Sequence, residues 1–269
     1  MTIRKDCTAR APFLRSLKTA AAFAILTPLA ATPALADAES DSNSAYVEAF
    51  KSFYGGDYRT ARIRLLNALK ENPNNSLARV LQARVALELG GGVEAQTELE
   101  RAVQAGVAPE KVRHLRAHAL LLQGKPSEAA DLLEPSTIEP QFEAYAARLR
   151  GLIDFQNRDL PSAEREFNRA LALAPNDPST VNSVAKFMGS IGQHEQARGL
   201  VGDILEKRPD HVKTLVTMAD LTRSAKGLEE ALPYLNRALE VDKNNIEALL
   251  ERAATLGDLR KEKEARVDI

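Results

Sequence analysis

Residues 144–177 read AYAARLRGLIDFQNRDLPSAEREFNRALALAPND. Two apolar-periodic runs flank a polar break at Asn157-Arg158-Asp159, and Pro175 stops the second run. That pattern predicts two helices joined by a tight turn. Gly151, Ala163, Phe167 and Ala170 sit at fixed offsets within the stretch. A step of ~34 residues from Ala163 lands on Ala61, Ala95, Ala129, Ala197, Ala231 and Ala265. The same step from Gly151 lands on Ala49, Ala83, Ala117, Ala185, Ala219 and Ala253. From Phe167 it reaches Leu65, Leu99, Leu133, Val201, Leu235 and Ile269. Two columns of small residues and one of larger apolar residues, kept without an insertion, predict a helical solenoid.

The columns have a physical cause. Two antiparallel helices approach closely only where small residues meet, because a bulky side chain would force the axes apart. The Leu, Val and Phe column fills the space beside that crossing. Ala68, Ala102, Ala170 and Ala238 follow it by three residues and are expected to meet the next unit. No stretch alternates with period two, so no strands are expected.

The order of these positions resembles the tetratricopeptide repeat, and the resemblance covers residues 42–269. It implies an all-α, right-handed solenoid of six repeats, 42–75, 76–109, 110–143, 144–177, 178–211 and 212–245, with a partial seventh over 246–269. The second helix of repeat three is expected to stop early, because Pro135 and Pro140 bracket Ser136 to Glu139. A narrower match lies in ARVLQARVALELGGGVEAQTELERAVQAGVAPEKV, LLLQGKPSEAADLL and RGLIDFQNRDLPSAEREFNRALALAPND. This order resembles the exported tetratricopeptide-repeat protein of bacterial PEP-CTERM and exopolysaccharide systems. That resemblance implies a role in export of polysaccharide or surface proteins.

Residues 1–36 read as a secretory signal peptide. Arg4, Lys5, Arg10, Arg15 and Lys18 are its basic region, Ala20 to Ala30 its apolar run, and Ala34-Leu35-Ala36 its cleavage pattern. Cleavage after Ala36 predicts a periplasmic or exported protein, with 37–41 as a linker; an uncleaved anchor is the alternative. Removing five basic residues and one acidic residue from a net charge of −1 leaves −5 for the rest. The leader also holds Cys7, the only cysteine, so no thiol chemistry is expected after cleavage. No broad positive charge argues for nucleic acid. No stable membrane insertion is expected after processing.

Candidate chemistry is thin. His114 and His118 are four apart on one helix face, yet the sequence between them lacks the glutamate of a zinc protease and no third ligand can be placed. They read as two solvated histidines, and no metal or cofactor is expected. Gly124-Lys125-Pro126-Ser127 fails as a phosphate loop and reads as a turn with Pro at the next helix start. No Ser–His–Asp or Cys–His set can be assembled. A non-enzymatic binding scaffold is therefore the first reading. A glycan- or small-ligand-binding protein and a metal-dependent enzyme are the alternatives.

Resemblance to tetratricopeptide repeats also implies a concave groove lined by the first helix of each unit. On this register it comprises Tyr46, Phe50, Phe53, Tyr54, Arg84, His114, His118, Leu121, Arg148, Leu152, Phe155, Lys186 and Arg223. One end is aromatic and the middle basic, which suits an acidic or extended protein segment or an anionic glycan. The alternatives are that the aromatics cap the solenoid and that the basic residues are ordinary solvated charges. At the other end, Leu250, Ala253, Leu256 and Ile269 are expected to lack cover. That edge is expected to fray, or to pack on a partner, on a second copy or on a longer natural chain.

Overall fold

The computed structural model describes residues 33–268, and side chains from Asp37 onward. The expected signal peptide lies outside this range except for its last four residues. Those residues are helical, and the expected linker 37–41 continues the same helix, α1, Pro33–Tyr54. Helix therefore runs through 37–41, not an irregular connection. Among the described residues there are α-helices and short 3-10 turns but no strand.

The helices fall in pairs on the predicted register. α1 pairs with α2 (Tyr58–Glu71), α3 (Ser76–Glu88) with α4 (Gly92–Gln104), and α5 (Arg113–Leu122) with α6 (Pro126–Leu132). α7 (Glu143–Gln156) pairs with α8 (Leu160–Leu173), α9 (Pro178–Ser190) with α10 (His194–Lys207), and α11 (Val212–Lys226) with α12 (Leu228–Val241). α13 (Ile246–Asp258) and the single turn α14 (Glu262–Ala265) make the partial seventh unit. Each pair also packs on the next, as a solenoid requires.

Local chemistry sets the ends of these helices. Asn75, Asp177, His211 and Asn245 share one repeat position, and each side chain accepts the N–H three residues on, at the start of α3, α9, α11 and α13. Asp57 and Asp159 do the same for α2 and α8. The turn inside each pair needs one residue with positive φ. Gly56, Gly90, Gly124 and Gly192 supply it at the same repeat position, and Arg158 (φ 62°) and Arg260 (φ 59°) stand where repeats four and seven lack glycine. α6 stops after seven residues, and Pro135–Thr137 and Pro140–Phe142 form two 3-10 turns. Proline has no N–H to continue a helix there. Leu133 still reaches the core from the end of α6.

Ala61, Ala95, Ala129, Ala163, Ala197 and Ala231 are all buried. So are Leu65, Leu99, Leu133, Phe167, Val201 and Leu235 beside them. Each side chain in this larger column contributes about 1.5–3 kcal/mol by burial. At the C-terminal edge Leu250 is exposed as expected, but Ala253, Leu256 and Ala265 are buried. Arg252 explains the difference. Its Nε and Nη2 donate to both carboxylate oxygens of Asp268 at 2.8 and 2.5 Å and so fold the short α14 segment back onto α13. Ile269 lies outside the described residues.

Candidate functional site

The first helices place their inner faces toward one another across the centre of the solenoid, and the superhelix closes on itself. Lys213 Nζ on α11 donates to Glu88 Oε2 at the end of α3 at 3.2 Å. Ser179 Oγ on α9 donates to the other oxygen of Glu88 at 3.4 Å. Arg59 at the start of α2 pairs with Asp242 at 3.6 Å and donates to the Asn244 carbonyl, between α12 and α13. Repeats one and two thus meet repeats five and six.

Closure shapes a half-open cavity of about 270 Å³. Its wall combines Phe53, Tyr54 and Tyr58 of repeat one with Arg84 and Glu88 of repeat two, Tyr145 and Asp177 of repeat four, and Ser179, Thr180, Arg208 and His211 of repeat five. Glu88 is drawn into this interior. Burial pushes its carboxyl up, but Lys213 and Arg148 outweigh that and leave it below the usual glutamate range. The Tyr145 hydroxyl lies 2.6 Å from His118 Nδ1, and burial pushes its phenol up to about 12.

The groove positions part into three groups. Tyr46, Phe50 and Tyr54 form a tilted aromatic stack along α1, with ring centroids 6.2 and 4.5 Å apart. Phe50 and Tyr54 are 41% and 49% exposed, whereas Phe53 belongs to the core. Arg84 lies over the Phe53 ring at 4.5 Å and reaches the Tyr54 hydroxyl at 3.4 Å.

The middle group differs from the solvated reading. His114 and His118 are both buried. His114 stacks on Phe142 at 4.1 Å, and His118 meets Tyr145 edge-on. Burial, aided by Arg84 for His114 and by Arg148 for His118, lowers their pKa to about 4 and about 3. They are neutral aromatic packing groups at neutral pH. Among the described residues no three His, Cys, Asp or Glu are grouped to hold a metal. Arg148 is buried too, only 5% exposed, with its guanidinium 4.6 Å from the Tyr145 ring centre. Its Nε and Nη2 have no hydrogen-bond partner among the described residues.

The remaining positions do not continue a free basic row. Lys186 pairs with Glu247 at 3.4 Å, and Arg223 pairs with Asp220 and Glu251 at 3.2 and 3.1 Å. Phe155 packs edge-on against Phe187 in the core. Leu121 and Leu152 pack against the core as well.

Sequence reasoning missed Tyr58, Glu88, Tyr145, Ser179, His211 and Lys213. A signal existed for some of them. The same ~34-residue step from Tyr145 reaches Ser179 and Lys213, all three facing the centre. His211 shares its column with the helix-capping residues. Glu88 carried no such mark, since its place depends on a residue 125 positions away.

The fold is that of a tetratricopeptide-repeat helical solenoid. The family model described as tetratricopeptide repeat matches residues 53–108 and 114–178. The chain is 26% identical over 161 residues to cellulose synthase operon protein C of Pseudomonas fluorescens, covering 56% of this chain and 13% of that protein. It is 27% identical over 178 residues to anaphase-promoting complex subunit 7 of Dictyostelium discoideum, covering 65% of this chain and 30% of that protein. The chain therefore spans under a third of the length of these relatives. Among solved structures, a tetratricopeptide repeat protein from Parabacteroides merdae superposes with a TM-score of 0.53 at 16% identity, over 85% of this chain and 91% of that one. The Cut9–Hcn1 assembly of the anaphase-promoting complex gives the same TM-score of 0.53 at 17% identity, over 82% of this chain and 48% of that one. At these identities the structures speak to fold alone.

Proposed function

We propose that this protein is a non-enzymatic, exported interaction scaffold that docks an extended segment of a partner protein on the aromatic end of its concave face. The observation that carries this reading is the stacked and exposed Phe50–Tyr54 pair beside Arg84. Exposed aromatic anchors beside an arginine are the composition of interface hot spots. Arg84 adds the charge that suits an acidic segment. Tetratricopeptide repeats are protein-interaction scaffolds, and Phe50 and Tyr54 stand exposed at one end of this array.

The setting we propose is cell-envelope or exopolysaccharide export. It is supported by the leader pattern ending at Ala36 and by the similarity to a protein named for a cellulose synthase operon. Intact mass of the protein from the envelope fraction, with Asp37 as the first residue, checks export; a full-length mass in the membrane favours an anchor.

Docking is tested by retention of partners from native envelope on the immobilised chain. Wild type and a Phe50→Ser/Tyr54→Ser double variant are compared at equal helicity, at low and high salt. The double variant is expected to lose the retained partner, and wild-type retention is expected to weaken with salt. Undiminished retention by the double variant would overturn the aromatic docking site.

A further inference from the structure

We propose that the interior of the closed superhelix binds a small carboxylate, an organic acid the size of an amino acid or a sugar acid, through Arg148 and Arg84. This does not rest on a protein docking at Phe50 and Tyr54.

Charge balance around the cavity is the first observation. Lys213 and Glu88 neutralise each other at 3.2 Å. Arg84 lines the cavity, reaches the Tyr54 hydroxyl and lies over the Phe53 and Tyr54 rings. Arg148 lies behind the Tyr145 ring, which itself lines the cavity. Among the described residues no carboxylate is within ion-pair distance of either arginine. Arg208 and Asp177 also line the cavity and offset each other in sign. With Lys213 set against Glu88, Arg84 and Arg148 leave the interior with an excess of two positive charges, and Arg148 is almost wholly removed from water. A buried, unpaired guanidinium is costly, and such groups are ordinarily paired.

The second observation is which atoms are unpaired. Nε and Nη2 of Arg148 form one edge of the guanidinium, with two parallel N–H donors. That edge matches both oxygens of one carboxylate. His114 and Asn182 occupy the same repeat position on either side, and His114 Nδ1 and Asn182 Oδ1 are also buried without partners. Three successive repeats thus carry one row of unsatisfied polar atoms buried behind the cavity wall. Buried polar atoms in native folds are nearly always satisfied, so such a row points to a ligand.

Size and lining decide the class. A cavity of about 270 Å³ holds a small molecule, not a folded partner. The Phe53 and Tyr58 rings offer apolar walls for its body. The Tyr145 ring separates the cavity from Arg148, so the acid reaches the guanidinium edge by displacing that ring.

The test is calorimetric titration of the full chain with D-glucuronate and with benzoate. Glucose and benzyl alcohol are the uncharged counterparts, and inorganic phosphate and an octaglutamate peptide are further arms. At least one of the two acids is expected to bind one per chain and raise Tm, with its uncharged counterpart inert. Arg148→Met is expected to weaken that acid about tenfold or more. Its unliganded Tm is expected to equal or exceed wild type, because an unpaired buried charge is gone. Arg84→Gln, on the cavity wall, is expected to weaken the acid likewise and keeps the test alive if Arg148→Met does not fold. Several results would overturn the proposal: no binding of either acid, equal binding of the uncharged counterparts, or undiminished binding by the variants. Binding of octaglutamate alone would overturn it in favour of a protein segment, and binding of phosphate alone in favour of a site without carboxylate selection.

Discussion

Gly151 and Phe167 lie so close that a Cβ built on the glycine would stand 2.8 Å from the phenyl ring. Every other repeat has alanine at the first position and Leu, Val or Ile at the second. Repeat four alone combines the smallest residue with the largest, so the two substitutions compensate in volume. Gly151→Ala is expected to destabilise by roughly 1–3 kcal/mol through overpacking. Added to Phe167→Leu, the same change is expected to be neutral or stabilising, because alanine is the better helix former. A double-mutant cycle by chemical denaturation measures the coupling; additive effects would remove it.

The alanine column makes a second prediction. Ala163 is fully buried at the α7–α8 crossing, whereas Glu164 beside it is exposed. Ser162 is a poor control, since its N–H and hydroxyl both engage Asp159 at the cap of α8. Ala163→Leu is expected to cost about 1–3 kcal/mol and Glu164→Leu close to nothing. Equal melting points for the two variants would reject the helix crossing at Ala163.

Arg158 holds a turn conformation that four other repeats give to glycine. A side chain in the left-handed region is strained. Part of that strain is offset when glycine adds disorder to the unfolded chain. Arg158→Gly is therefore expected to stabilise by roughly 0.5–1 kcal/mol. Thermal melting of the variant decides it, with an unchanged or lower Tm as the contrary result.

Closure of the superhelix rests on Glu88 and Lys213. Lys213→Met is expected to destabilise by about 1–3 kcal/mol, less than breaking a fully buried pair, because Lys213 is partly exposed. Glu88 sits below the usual glutamate range. Its contribution is present above the unfolded pKa near 4.5 and is lost as pH falls through its lower folded value. Lys213→Met is therefore expected to shrink the stability lost below pH 4.5, compared by denaturation at several pH values.

His114 gives the complementary pH signature. Its folded pKa of about 4 lies below the unfolded 6.5. The unfolded chain takes up the proton first, so stability is full above pH 6.5 and declines as pH falls toward 4. His118 acts likewise down to about 3. His114→Leu, which keeps an apolar group against Phe142, is expected to flatten the decline between these limits. A variant whose stability falls as steeply as wild type would show that His114 is not held neutral.

The sequence by itself determined the solenoid. Period, pair boundaries, short α6 and buried alanine columns follow from contacts within a repeat or between neighbours, and neighbours in a solenoid are neighbours in sequence. A groove face was legible for the same reason, since it repeats with the helix register. Tertiary structure alone decided what that face became. Whether Arg148 is solvated or buried depends on how far the repeats curl. That curl accumulates over many small rotations until Lys213 meets Glu88 across 125 residues. Such a contact has no period, and nothing near Glu88 in the chain announces it. The histidines were misplaced for a nearer reason. Phe142 at the end of their own repeat and Tyr145 at the start of the next cover them, in a region where two prolines replace regular helix with turns.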